Sequence, residues 1–175
     1  MTFFFLKKTI IDIIYLGDDI VKVFIGADHG AKDLERDIIN YLKEKNIDIE
    51  SISLPVMDGS DDFTDYAYLL CNEVLKDKDN NLGILICRDG IGMSIVANKV
   101  KDIICARVLS EKESIKAKNH SGANVIALGS ENNVTWEENK KIVDAFINTS
   151  YPTEERRIRR VSKIIEIQNG TYNGL

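Results

Sequence analysis

Between Val21 and Gln168, five short runs rich in apolar and β-branched residues alternate with amphipathic stretches, and this alternation constrains the fold more than any other feature. The runs are VKVFIGAD, IDIESISL, LGILIC, DIICARVL and ANVIALGS. After the first comes AKDLERDIINYLKEKN, with Leu34, Ile38 and Leu42 at helical spacing; FTDYAYLLCNEVLKDK, IGMSIVANKV and SEKESIKAKNH separate the later runs. NVTWEENKKIVDAFINTS follows the fifth run, and a last helix is predicted from near Pro152 through EERRIRRVSKIIEIQ. Parallel strands require crossover connections, and right-handed crossovers place helices on both faces of the sheet. LGILIC shows no polar alternation, as expected of a strand covered on both sides. The expected fold is a three-layer α/β/α domain around a doubly wound, five-stranded parallel sheet of Rossmann-like class.

With 175 residues, 44% apolar and 29% charged, the chain has material for one sizeable core. The domain is expected over residues 21–168, with 169–175 a tail and 1–20 an N-terminal arm. Lys7, Lys8 and Asp12 interrupt the apolar stretches of the arm, which is too short to span a bilayer and lacks the layout of a secretory signal. It is expected to pack on the body or on a partner subunit. Set against 28 acidic residues, 23 Lys and Arg leave a net charge of −5, so no global field attracts nucleic acid and any anion must be held locally. Cys71, Cys87 and Cys105 form neither a CxxC pair nor a zinc-spaced set, which points to reduced thiols, a cytoplasmic setting and no metal site.

In open parallel sheets ligands bind beyond the carboxyl ends of the strands, where the winding reverses. The first strand is expected to end at Asp28 and His29, the third at CRDGIGMS and the fifth at Gly129 and Ser130, with His120 just before the fifth. In CRDGIGMS, Gly90 and Gly92 permit close approach of a ligand, and the following helix offers free N–H groups. Those N–H groups could also favour a thiolate at Cys87. A simple tight turn and a structural cysteine are the competing readings, and the latter is expected for Cys71 and Cys105. Arg156 and Arg160, four residues apart, share a helix face suited to phosphate or to a solvated, salt-bridged surface.

The segments GADHG, DFTDYA, LGILIC, GIGMSIVANKV and H-x-x-ANVIALGS resemble, in order and spacing, the type B ribose-5-phosphate isomerases and the related galactose-6-phosphate isomerase subunits, over about residues 22–164. The resemblance implies a cofactor-free and metal-independent homodimer or homotetramer with active sites shared between subunits. It implies Cys87 as the base that moves a proton between C1 and C2 of an open-chain sugar, and the N–H groups of Gly90, Ile91, Gly92 and Ser94 as the enediolate cradle. From a neighbouring subunit, His120 is implied in ring opening. His29, Arg156 and Arg160 are similar to phosphate contacts, Asp28 to a residue that binds sugar hydroxyls, and Asn124 belongs to the same motif. Asp28 could instead cap the next helix, and His120 could be an ordinary surface residue.

The chain departs from that pattern at four positions. Arg88 and Asp89 replace a usual Gly-Thr, Glu131 stands where many members have a phosphate-binding arginine, and Phe63 replaces a tyrosine. A carboxylate at Asp89 is expected to repel an enediolate unless Arg88 neutralises it. The expected activity is ribose 5-phosphate to ribulose 5-phosphate isomerisation. A hexose 6-phosphate substrate such as that of galactose or allose, and a catalytically silent subunit, are the alternatives.

Overall fold

The computed structural model describes residues 21–52 and 62–174. The expected arm over 1–20 and the end of the IDIESISL run lie outside the described residues. Strand β3 (Asn81–Cys87) is buried along its whole length, because it lies in the middle of the sheet with helices on both sides. It pairs in parallel with β1 (Lys22–Ala27) and β5 (Val125–Gly129); β2 (Asp48–Ile52) and β4 (Cys105–Arg107) form the edges, giving the order β2-β1-β3-β5-β4. The fourth strand is only three residues long, shorter than the apolar run DIICARVL suggested. Ile103 is nevertheless fully buried and Ile104 still bonds the sheet through Asn124, so the apolar residues outlast the ladder.

Alternation along the strands divides the core into two layers. Val23 and Ile25 of β1, Ile84 and Ile86 of β3, and Ile126 and Leu128 of β5 face one way, toward α1 (Lys32–Glu44), α4 (Glu111–Ser121) and α5 (Trp136–Asn148). Phe24, Leu85, Cys87, Val125 and Ala127 face the other way, toward α2 (Phe63–Leu75) and α3 (Ile91–Ala97). The helix starts follow capping chemistry: Ser110 Oγ accepts the Glu113 N–H at the head of α4, and Thr135 Oγ1 the Glu138 N–H at the head of α5. Gly122, in the left-handed region at φ +70°, ends α4.

The last helix, α6 (Glu155–Gln168), has no buried residue. It rests on α4, where Arg157 donates to the carbonyl and side-chain oxygens of Asn119, and its Gln168 amide donates to the Ile103 carbonyl at 2.8 Å. Among the described residues no helix is long and apolar enough to cross a membrane.

Candidate active site

The winding reverses between β1 and β3, and the carboxyl ends of these two strands carry Asp28 and Cys87 side by side. The Asp28 N–H donates to the Ile86 carbonyl at 3.3 Å, holding the turn against β3. Asp28 Oδ1 accepts the Gly30 N–H at 3.0 Å and so caps the short 3-10 turn His29–Ala31, the structural role the sequence also allowed. His29 heads that turn and is exposed.

Cys87 is the last residue of β3, with its sulfur on the α2/α3 face. The Gly90 N–H donates to Cys87 Sγ at 3.1 Å, and the thiol lies 3.7 Å from Asp89 Oδ1. Gly90 holds φ +77°, and a side chain there would meet the Leu128 carbonyl at 3.0 Å, so only glycine turns the loop onto the sulfur. The expectation of a depressed thiol pKa is not met. Burial pushes the Cys87 thiol up, the N–H groups of Asp89, Gly90 and Met93 pull it partly back, and the nearby Asp28 charge adds a smaller push upward. Desolvation at 6% exposure outweighs the hydrogen bonds. Cys71 is fully buried with its thiol pushed up to about 12, and Cys105 is raised further still; both pack in the core as expected.

The loop after Cys87 commits much of its expected cradle internally. Besides Gly90, the Ile91 N–H donates to Asp89 Oδ1 at 2.8 Å and the Ser94 N–H to the Gly90 carbonyl at 3.2 Å. Gly92 lies under Phe63, whose ring atoms would stand 2.8–2.9 Å from any added Cβ. Arg88 does not neutralise Asp89: its Nε lies 3.7 Å from Glu131 Oε1. Asp89 instead turns back to the Ile91 amide and the sulfur, because an Asx-type turn satisfies its carboxylate locally.

Sequence reasoning missed the residues that fix this loop. Arg107 Nε and Asn132 Nδ2 both donate to the Asp89 carbonyl, at 2.6 and 3.0 Å, while Asn98 ties α3 to β4 through the Cys105 N–H and carbonyl. A hollow of about 510 Å³ on the same rim is lined by His29, Gly30, Lys32, Ser130, Glu131 and Trp136 among others; Cys87 is not part of its lining.

The remaining expected site residues stand at the opposite end of the sheet. Because α4 runs antiparallel to the strands, His120 in its last turn lies near the start of β5, about 15 Å of strand away from the Cys87 end. His120 is exposed, and its charge helps hold the Glu154 carboxyl below the usual range, after the larger effect of Arg156. Arg156 Nε pairs with Glu154 at 2.8 Å, and Arg160 is exposed one turn further along α6. Asn124 is buried at the same end, with its amide engaged: Oδ1 accepts the Ile104 N–H and Nδ2 donates to the Asp102 carbonyl. A single chain therefore brings together Asp28, His29, Cys87, Asp89 and the glycine loop, but separates them from His120, Asn124, Arg156 and Arg160.

The family model described as Ribose/Galactose Isomerase matches residues 23–164. A probable ribose-5-phosphate isomerase B of Mycoplasma genitalium is 40% identical over 149 residues, covering 85% of this chain and 97% of that protein. A D-erythrulose-4-phosphate isomerase of Pectobacterium atrosepticum is 34% identical, covering 75% of this chain and 85% of that protein. The crystal structure of ribose-5-phosphate isomerase B from Mycoplasma genitalium with bound ribulose 5-phosphate superimposes with a TM-score of 0.78 at 39% identity, covering 85% of this chain and 96% of the other. The fold and these likenesses define an aldose-ketose isomerase of sugar phosphates. The chain belongs to the ribose/galactose isomerase family.

Proposed function

We propose that this chain interconverts ribose 5-phosphate and ribulose 5-phosphate with Cys87 as the base. The observation that carries the reading is a sulfur at the switch point of the sheet, beside Asp28 and met by the Gly90 N–H at 3.1 Å. In the aldose-to-ketose direction the Cys87 thiolate takes the proton from C2. The C–H electrons form the C1–C2 double bond, and the C1 carbonyl oxygen becomes the enediolate oxygen. The resulting thiol returns the proton to C1 while the O2 proton passes to O1, which leaves a C1 hydroxyl and the ketose carbonyl at C2. Three N–H groups aimed at the sulfur stabilise the thiolate during this exchange, and Asp28 orients sugar hydroxyls.

The site is completed in a homodimer or homotetramer, with His120 from a second copy opening the sugar ring and Arg156 and Arg160 from the same copy holding the phosphate. The separation of the two residue groups by the length of a strand, and an α6 with no fully buried residue in its own chain, support this arrangement. Three free cysteines suit a reducing cytoplasm.

Replacing Cys87 with Ala is expected to lower turnover of ribose 5-phosphate by about 100- to 10,000-fold without unfolding the protein. Undiminished turnover refutes the assignment. A hexose phosphate is the second reading, suggested by Asp89 and Glu131 at the rim; parallel assays with ribose 5-phosphate, allose 6-phosphate and galactose 6-phosphate separate the two. Activity of the purified chain on any of these dismisses a silent subunit.

A further inference from the structure

The rim around Cys87 carries an excess of negative charge that a sugar phosphate must overcome. Asp28, Asp89 and Glu131 all belong to it, and Asp33 and Asp37 line the adjoining hollow. Its cations are mostly committed. Lys32 Nζ is held by Glu35 at 2.9 Å, and Arg107 uses Nε and Nη2 on the Asp89 carbonyl and Asn132. Arg36 is paired with Asp33 and Asp37.

Arg88 differs from all of these. It is the residue after Cys87, its side chain is 65% exposed, and its contact with Glu131 at 3.7 Å is an ion pair without a hydrogen bond. Among the described residues its guanidinium donates to no acceptor. The side chain lies along the Gly30 backbone, where an added Cβ would meet Cγ and Nε of Arg88 at 3.1 Å, so the turn after β1 is shaped to let it pass. Gly30 and Glu131 both line the 510 Å³ hollow that also contains His29. Arg88 thus borders two residues that line a polar hollow, one position along the chain from the Cys87 sulfur.

We infer that Arg88 is an anion contact of the active site, supplied by the same chain as Cys87, which binds the phosphate group of the substrate, with Glu131 as the carboxylate that the phosphate displaces from it. This rests on the sugar-phosphate reading of the Cys87 site. A guanidinium presents a fork of N–H donors that matches phosphate geometry, and the bond to a dianion is stronger than the exposed pair it replaces. An ion pair in which both partners are about two-thirds exposed contributes little, so its loss on binding is a small cost. The negative charge of Glu131 competes with the ligand, and the two residues should have opposite effects on binding.

The test uses the full chain at fixed ionic strength, with inorganic phosphate as the probe in calorimetry and ribose 5-phosphate as the substrate in kinetics. Arg88→Ala is expected to weaken phosphate binding and raise KM by about 10- to 100-fold, with a much smaller change in kcat. Arg88→Gln tests whether the charge itself is required and should behave like Arg88→Ala. Glu131→Gln should tighten phosphate binding by about threefold or more. Lys76→Ala, which removes an exposed cation at the far end of α2, should leave both readouts unchanged. Phosphate binding by Arg88→Ala within twofold of the wild type overturns the inference, as does weakening by Lys76→Ala equal to that by Arg88→Ala. Tighter binding by Arg88→Ala than by Glu131→Gln overturns it also. If the wild type turns over the sugar phosphate while Arg88→Ala is unaltered, the inference alone fails. If the wild type turns over no sugar phosphate but Arg88→Ala loses inorganic phosphate, the anion contact stands and the isomerase reading falls.

Discussion

Arg107 reaches from β4 to the loop that follows β3, where its Nε donates to the Asp89 carbonyl at 2.6 Å. Asn132 donates to the same oxygen at 3.0 Å and accepts from Arg107 Nη2 at 3.2 Å, so two residues from the ends of β4 and β5 fix one peptide at the end of β3. That peptide sets the positions of the Gly90 amide and the Cys87 sulfur. Replacing Arg107 with Met should lower kcat by about 10- to 100-fold through misplacement of the loop, while costing about 1–2 kcal/mol of stability. Steady-state kinetics beside urea denaturation would check both, and a variant with normal kcat would show that the bracket does not matter to catalysis.

Gly90→Ala tests the same loop from inside. The residue would have to hold φ +77° with its Cβ against the Leu128 carbonyl. The expected loss is about 1–3 kcal/mol, with activity falling further than stability because the amide that meets the sulfur must shift. Denaturant midpoints and kcat, measured together, would separate the two effects.

The sheet was legible in the sequence because five apolar runs are each followed by a helical period, although β4 is shorter than its run, and the two-sided burial of LGILIC was visible in its lack of alternation. Asp28 and Cys87 were legible as strand ends. What remained hidden depends on distance through space. Arg107 and Asn132 look like any polar residues near a strand end, and nothing in the order of residues shows that they converge on one carbonyl. The Asp89 carboxylate lay near Arg88 in sequence but bonds Ile91, since backbone turn geometry decides its partner. The raised thiol of Cys87 was missed because burial depth cannot be read from a glycine loop.

The proposed sharing of active sites between copies predicts complementation. Cys87→Ala and His120→Ala chains should each be inactive or nearly so. When they are mixed, dissociated and reassembled, half of the dimers are hybrids with one intact site of two, so about a quarter of wild-type activity should return. Activity that does not return on mixing, from chains that do exchange, would show that the two residues do not serve one site.

Lys118 predicts an alkaline gain in stability. It is 4% exposed, lies over the rings of Phe146 and Tyr151 at 5.0 and 4.9 Å, and burial pushes its ammonium down from 10.5 to about 7. Between those two values the unfolded chain holds a proton that the native chain does not. The Lys118 contribution to stability should therefore rise with pH from about 7 to about 10.5, opposed above about pH 9 by the raised thiols of Cys71 and Cys105, and its penalty is complete below pH 7. Lys118→Met should be more stable than the wild type at pH 6 by about 1–3 kcal/mol and should flatten this slope. Urea unfolding at pH 6, 8 and 10 would measure it; equal slopes in the two proteins would contradict it.

The absence of any buried residue in α6 bears on how the chain reaches its final form. Fourteen residues is near the length at which a lone helix is marginal in water, and the segment leans on α4 through few contacts. Its amides should be the first of the helical ones to trade hydrogen for deuterium, and its ordering should follow, not precede, the closing of the sheet.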